Sequence, residues 1–417
     1  MKKAIILFKK IINNPFLGGS LIMLVGSNLF NFGQFVYHFL AGRFLGKVYY
    51  GDLAVIISIL GIVGIIQLAL GLTVIKYVAT AKDKRETKNL IKWFDFWSIW
   101  LGLFISMIFL ISAPFLNKFL NFHQPIVAYL LSPLIFFFMV TTIGRSILQG
   151  LLQFKKYVSS LMVEVVIKII LTLIFVLLGW AILGAMTAFL LSVICALFIT
   201  RKFLAENLLG KRENRPAIRP MFRYSSAVFT QGLALTSMYS MDLLLVKHFF
   251  SGAEAGIYAS LAILGRVVFF GASPITNVMF PIVAKRFAAK EQYLKIFLIS
   301  LFLISIFSLF IVGFYFYFPQ LSILVLFGKE YIEGASILWL FAVFMSLLSL
   351  AMLFTQFFLS VGKTKIVSVF VTAALLQVIL IWFNHESLIK VIQMGILSAA
   401  LLDLCLIVYF IYAFGNR

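Results

Sequence analysis

The chain has 417 residues, 63% hydrophobic and 12% charged, with a mean hydropathy of +1.09. A soluble domain is nearer half apolar and a quarter charged, so this composition excludes a soluble globular protein and places the chain in a membrane. The 35 Lys and Arg outnumber the 14 Asp and Glu. These cations punctuate apolar runs, so their excess reads as an orientation signal and not as a nucleic-acid surface.

Met1 to Lys10 is a basic start that looks like a signal n-region. No small-residue cleavage site follows, so the first apolar run is expected to remain as a transmembrane helix. A span needs roughly 20 mostly apolar residues. That rule predicts twelve, over 19–41, 51–78, 93–113, 127–148, 158–179, 183–203, 224–248, 255–283, 296–318, 335–359, 366–384 and 391–412. With the N-terminus inside, the inner segments collect clusters such as Lys82/Lys84/Arg85/Lys88/Lys92 and Lys211/Arg212/Arg215/Arg219/Arg223. The outer segments hold only Arg43, Lys47, Lys118, Lys247, Lys329 and Lys390. Both termini are therefore expected in the cytoplasm.

The longest inner connection, about 204–221, is polar and carries Pro216 and Pro220. It divides the chain into an N-terminal lobe, 1–210 with spans one to six, and a C-terminal lobe, 211–417 with spans seven to twelve. The expected fold is an all-α polytopic membrane protein. Its twelve transmembrane helices form two six-helix lobes related by a pseudo-two-fold axis along the membrane normal.

Repeats support that division. Leu45-Gly46-Lys47-Val48-Tyr49-Tyr50-Gly51-Asp52-Leu53-Ala54 recurs as Phe250-Ser251-Gly252-Ala253-Glu254-Ala255-Gly256-Ile257-Tyr258-Ala259. Gly51 and Gly256 lie 205 residues apart, about half the chain. A second element ends spans four and ten: Leu148-Gln149-Gly150-Leu151-Leu152-Gln153-Phe154-Lys155-Lys156-Tyr157 and Leu359-Ser360-Val361-Gly362-Lys363-Thr364-Lys365. Both are short inner turns with Gly and paired Lys.

These two turns resemble the polysaccharide-transporter branch of the multidrug/oligosaccharidyl-lipid/polysaccharide exporter superfamily. The length and the twelve spans are most similar to the O-antigen and capsule repeat-unit flippases. Ser251 departs from the pattern, where the family's turn usually starts with Gly. The resemblance implies a non-enzymatic transporter in a bacterial inner membrane. Its substrate would be an undecaprenyl-pyrophosphate-linked oligosaccharide, moved outward for O-antigen or other lipopolysaccharide and surface-polysaccharide assembly. The implied partners are that substrate, membrane lipids and other polysaccharide-assembly proteins, with no nucleic acid.

No catalytic constellation is present. The four His are scattered, and no zinc-protease, serine-hydrolase or phosphate-cradling motif occurs. Cys195 and Cys405 carry no metal or disulfide spacing and read as small core residues. No cofactor and no metal site are expected.

The informative residues are polar ones at membrane depth. Asn28, Asn31, Gln34 and His38 share one helical face on span one. That stripe reads either as interhelical hydrogen bonding or as sugar-binding amides. Glu164 and Lys168 form an i,i+4 pair, read as a structural salt bridge or as functional charge. Arg266 lies near the middle of span eight with no local acid, and Asp242 and Asp403 are its candidate partners. A planar guanidinium suits a phosphate or pyrophosphate. Arg43, Asp52, Lys247 and His248 sit at outer span ends, as solvated charges or as a shared outer vestibule. Lys76 and Arg145 read mainly as orientation signals. Pro274 and Pro281, with Gly265 and Gly271, mark span eight as a kinked, moving element.

The substrate-binding set is thus Asn31, Gln34, His38, Arg43, Lys168, Asp242, Lys247 and Arg266. The candidates for H⁺ or Na⁺ coupling are Glu164, Asp242 and Asp403. Two rivals remain. A cation-coupled drug antiporter of the same superfamily would use those carboxylates. A membrane glycosyltransferase or polymerase would need a longer outer loop than 115–126 or 319–334.

Overall fold

A computed structural model describes residues 15–209, 218–363 and 366–414. The basic start, the middle of the inner connection at 210–217, Thr364 and Lys365, and residues 415–417 lie outside them. The helices are α1 (Pro15–Ala79), α2 (Lys84–Leu120), α3 (Ile126–Gly150), α4 (Phe154–Leu177), α5 (Ala181–Leu208) and α6 (Ile218–Phe249). They continue with α7 (Gly252–Ala288), α8 (Leu294–Tyr317), the short α9 (Pro319–Leu326), α10 (Leu338–Ser360), α11 (Ile366–Phe383) and α12 (Leu388–Phe414). A 3-10 segment, Lys329–Ile337, joins α9 to α10. No strand occurs among the described residues.

All twelve expected spans fall on these helices. Among the described residues, nine helices are long and apolar enough to cross a membrane. Spans one and two share α1, which kinks at Gly46 (φ 70°, ψ 167°). That conformation costs glycine little and other residues more. Span seven, on α6, carries Asp242, Lys247 and His248 and is less apolar than the rest.

Packing groups the chain into two units. Unit 1 is Met1–Leu45 with Val63–Phe229, and unit 2 is Gly46–Ile62 with Thr230–Arg417. Relative to the expected division at 210/211, residues 46–62 and 211–229 change sides. Local contacts explain both shifts. Past the Gly46 kink, Tyr50 is fully buried against the rings of Phe327 and Tyr331. At the start of α6, the hydroxyls of Ser225 and Thr73 lie 2.6 Å apart.

The repeated glycines explain themselves inside unit 2. A Cβ on Gly51 would lie 2.9 Å from the backbone N of Gly256, and one on Gly256 would strike the carbonyl O of Lys47. The two copies of the repeat thus cross backbone against backbone. Ser251 departs from the family pattern because it is the N-cap of α7. Its hydroxyl accepts from Glu254 N at 3.3 Å, and the Glu254 carboxylate accepts from Ser251 N at 3.0 Å, closing a capping box.

The second repeated turn is equivalent in geometry, with a different register. Gln153 N donates to Leu148 O at 2.9 Å, and Lys363 N donates to Phe358 O at 2.8 Å. The left-handed residue is Leu152 (φ 59°) in one and Gly362 (φ 80°) in the other. Gly362 therefore corresponds to Leu152 and not to Gly150, which closes on Val78 and Ile75.

In unit 1, α3 packs on α2 and α5, and α4 on α5. Ser106 and Ser132 couple α2 to α3, each hydroxyl donating to the other residue's carbonyl at 2.9 Å. In unit 2, α10 packs on α7, α8 and α12. Phe297, Phe354, Phe357, Phe358, Phe410 and Phe414 form its aromatic core, with Phe297 and Phe357 ring centres 4.3 Å apart. Other Phe, such as Phe104 and Phe310, face outward.

Gly265 and Gly271 give room to the rings of Phe341 and Phe307, and α7 runs helical through Pro274 and Pro281. One expectation needs correction. Cys405 is exposed on α12 and Cys195 is half-buried, so neither is a core residue.

Candidate functional site

Buried charged groups occur in both units. In unit 1, α3 carries Arg145 and α4 carries Ser160, Glu164 and Lys168, one turn apart on one face. Gly144 lets α3 close on Thr200 of α5, where a Cβ would come within 2.7 Å of the Thr200 methyl. Arg145 lies in that contact. Its Nη1 is 2.7 Å from Glu164 Oε2. Its Nε donates to Ser160 Oγ at 2.9 Å and its Nη2 to Ser160 O at 2.8 Å. The Ser160 hydroxyl also meets Thr200 Oγ1 at 2.8 Å.

Lys168 is turned the other way. Its Nζ donates to Gln34 Oε1 of α1 at 2.5 Å. It lies over the rings of Tyr37 and Phe189, 4.4 and 4.5 Å from their centres, and cation–π attraction offsets part of its desolvation. Arg145, Glu164 and Lys168 are all buried. The expected Glu164–Lys168 salt bridge is replaced by Arg145–Glu164, and Arg145 is a buried partner and not merely an orientation signal. One carboxylate thus serves two cations.

In unit 2, Asp52 and Lys247 are fully buried and 2.5 Å apart. Their sequence positions suggest outer span ends, as solvated charges or as part of a shared vestibule. The repeat crossing instead encloses them, and their mutual neutralisation makes that burial tolerable. Asp242 accepts from Tyr258 Oη at 2.8 Å and from Leu243 N at 2.8 Å. Arg266 is half-buried. Its Nη2 donates to Tyr239 O at 2.6 Å, and its guanidinium lies 5.5 Å from the Tyr239 ring centre. Its Nε has no hydrogen-bond partner among the described residues. Asp403, on α12, is buried, and neither carboxylate oxygen has such a partner. Gln377 of α11 donates to Met238 O at 3.0 Å.

Of the expected substrate-binding set, Lys168 and Gln34 meet in unit 1, and Asp242 and Arg266 both lie in unit 2. Asn31 is exposed, and His38 is half-buried, edge-on to Tyr37. Arg43 is exposed, with its guanidinium over Phe39. Lys247 is consumed by Asp52. Sequence reasoning missed Arg145, whose one signal was its place inside the apolar run 127–148. It also missed the pairing of Asp52, because partners 195 residues apart leave no local pattern.

Nine helices apolar enough to cross a membrane among the described residues, with ion pairs buried among the helices, define the class as a polytopic membrane protein. The comparisons agree. Residues 17–287 match the model of the family described as "Polysaccharide biosynthesis protein". The chain belongs to that family, in the polysaccharide-transporter branch of the exporter superfamily. It is 24% identical over 372 residues to an uncharacterized membrane protein of Methanocaldococcus jannaschii, covering 83% of this chain and 85% of that one. Its fold resembles the inward-facing conformation of a multidrug resistance MATE family transporter of the MOP superfamily, with a TM-score of 0.77 at 15% identity, over 90% and 94% of the two chains. It also resembles a MOP superfamily transporter from Pyrococcus furiosus, described as having a binding pocket of reverse polarity. That match has a TM-score of 0.62 at 18% identity, over 94% and 93%.

Proposed function

We propose that this chain flips polyprenyl-pyrophosphate-linked oligosaccharide repeat units from the cytoplasmic to the outer leaflet by alternating access. In a bacterium the lipid is undecaprenyl, the membrane is the inner one, both termini are cytoplasmic, and the product feeds O-antigen or other surface-polysaccharide assembly. The family supports the polysaccharide context. The observation that carries the substrate class is Arg266. A half-buried guanidinium of which one nitrogen donates to Tyr239 O has the planar donor set that suits a phosphate.

A second reading, a cation-coupled antiporter, is favoured by Asp403. A buried carboxyl with no partner suits a proton or Na⁺. In the flippase reading the same group couples transport to an ion gradient. Glu164 and Asp242 are already engaged and are weaker coupling candidates than Asp403.

The test is a leaflet-accessibility assay with labelled lipid-linked oligosaccharide in proteoliposomes, with and without H⁺ or Na⁺ gradients. Arg266→Ala is expected to abolish flipping with expression and insertion intact, and Arg266→Lys to restore part of it. Near-normal flipping by the Ala variant sinks the assignment. Export of a cationic drug without lipid flipping favours the antiporter.

A further inference from the structure

The open side of α7 carries two kinds of surface. On a regular helix each residue advances by about 100°, so Arg266, Ser273 and Asn277 share a strip about 40° wide. Val267, Val278 and Ile282 lie about 80–140° further round. Asn277 is exposed, Arg266 and Ser273 are half-buried, and the three aliphatic residues are exposed. The opposite face, with Phe269, Ala272, Thr276, Met279 and Val283, is buried.

The aliphatic strip suits lipid. The polar strip does not, because a polar group in hydrocarbon forfeits the hydrogen bonds that water gave it. Ser273 satisfies its own proton by donating to Phe270 O at 2.9 Å. Asn277 has no hydrogen-bond partner among the described residues. Its amide therefore keeps two donors and an acceptor oxygen for a ligand. It also lies inside the apolar span, two turns before Lys285 and Arg286 in the last turn of α7.

Tyr239 of α6 fixes the other end of the strip. Its carbonyl accepts from Arg266 Nη2 at 2.6 Å, its hydroxyl meets Thr236 Oγ1 at 3.1 Å, and its ring stands at 71° to that of Phe270, 6.1 Å away. A guanidinium, an exposed aromatic ring and an open amide thus follow one another over about 16 Å of helix. That order matches a phosphate joined to a sugar. The guanidinium takes the anion, the ring packs on the sugar's C–H face, and the amide reads its hydroxyls.

We infer that Asn277 hydrogen-bonds the sugar of the substrate whose phosphate meets Arg266, with Phe270 packed against that sugar between them. The sugar as occupant rests on the flippase reading, whereas the open amide does not.

Two measurements on the full-length protein test this. In a chain carrying Cys195→Ser and Cys405→Ser, a membrane-impermeant maleimide is supplied inside and outside proteoliposomes. Ser273→Cys and Asn277→Cys are expected to react. Val267→Cys and Val278→Cys are expected not to, because a thiol in lipid stays protonated. An unreactive Asn277→Cys, or equal reaction of the two strips, overturns the inference.

Binding is then titrated in nanodiscs with bare polyprenyl pyrophosphate and with the same lipid carrying N-acetylglucosamine or galactose. The parent protein is expected to bind at least one sugar-bearing probe more tightly than the bare lipid. Asn277→Ala should weaken that probe about three- to tenfold, the worth of one hydrogen bond, and leave the bare lipid unchanged. The variant strands no partner and gains helix propensity, so its thermal stability should not fall. Arg266→Ala should weaken all the probes. Equal binding of every probe by the parent, or an Asn277→Ala variant that does not discriminate sugar-bearing from bare lipid, overturns the sugar contact. Unchanged binding of bare lipid by Arg266→Ala sinks the phosphate reading instead, and the sugar contact stands if Asn277→Ala still discriminates.

Discussion

The two units solve the same problem with opposite signs. Among the described residues, the buried charges of unit 1 are Arg145, Glu164 and Lys168, two cations to one carboxylate. In unit 2 they are Asp52, Asp242, Lys247 and Asp403, three carboxylates to one cation. The inner turns of the two halves share a geometry, while the buried charges of the two units differ. Removing one partner of a buried pair strands the other charge, whereas neutralising a group that has no counter-charge strands nothing. The comparison therefore sorts residues that resemble one another in sequence into paired and surplus groups.

The largest effects should come from breaking the pairs. Glu164→Gln removes the carboxylate that faces Arg145, and Lys247→Met removes the cation paired with Asp52. Each is expected to lower stability by about 3–5 kcal/mol, read as thermal unfolding of the detergent-solubilised protein. Loss below about 1 kcal/mol in either variant means that the pair is solvated in the membrane.

Next comes the crossing of the repeats. Gly256→Ala forces a methyl onto the Lys47 carbonyl and should cost about 1–3 kcal/mol as an overpacked contact. Gly61→Ala, with open space around it, should not destabilise. Equal behaviour of the two variants removes the close approach as the reason for the repeated glycines.

The surplus groups should respond weakly. Asp403→Asn and Lys168→Met are expected to change stability by no more than about 1 kcal/mol, because neither leaves a partner charge behind. Asp403→Asn should nevertheless abolish any response of transport to an H⁺ or Na⁺ gradient in proteoliposomes. Destabilisation as large as that of Lys247→Met shows a hidden partner for Asp403.

The smallest effect is at the inner turns. Leu152 holds the left-handed position that Gly362 holds in the other copy. Leu152→Gly should gain up to about 1 kcal/mol, since relief of backbone strain exceeds the added unfolded-state entropy. Gly362→Leu should lose a similar amount. The same thermal measurement checks both, and a loss for Leu152→Gly contradicts the equivalence of the turns.

Much of the fold was legible along the chain because the bilayer imposes a one-dimensional rule. Each span must be long and apolar enough to cross. That rule located all twelve spans on helices, and the doubled glycine turn marked the two places where the chain crosses itself in unit 2. The Glu164–Lys168 spacing looked complete in itself, because i,i+4 residues meet on any helix. Tertiary structure reassigned it. Gly144 draws α3 against α5, and Arg145 arrives at Glu164 with a guanidinium fixed by Ser160, leaving Lys168 to Gln34. The same holds for Asp52 and Lys247, and for Asp403, whose isolation exists only relative to neighbours brought from elsewhere in the chain. The sequence by itself determined the membrane class, the helices and the family, because those depend on local apolar length, on charge along the chain and on short turns. Only the tertiary structure decided which charges are paired and which are surplus, because a buried charge is neutralised by whatever lies within about 4 Å in space.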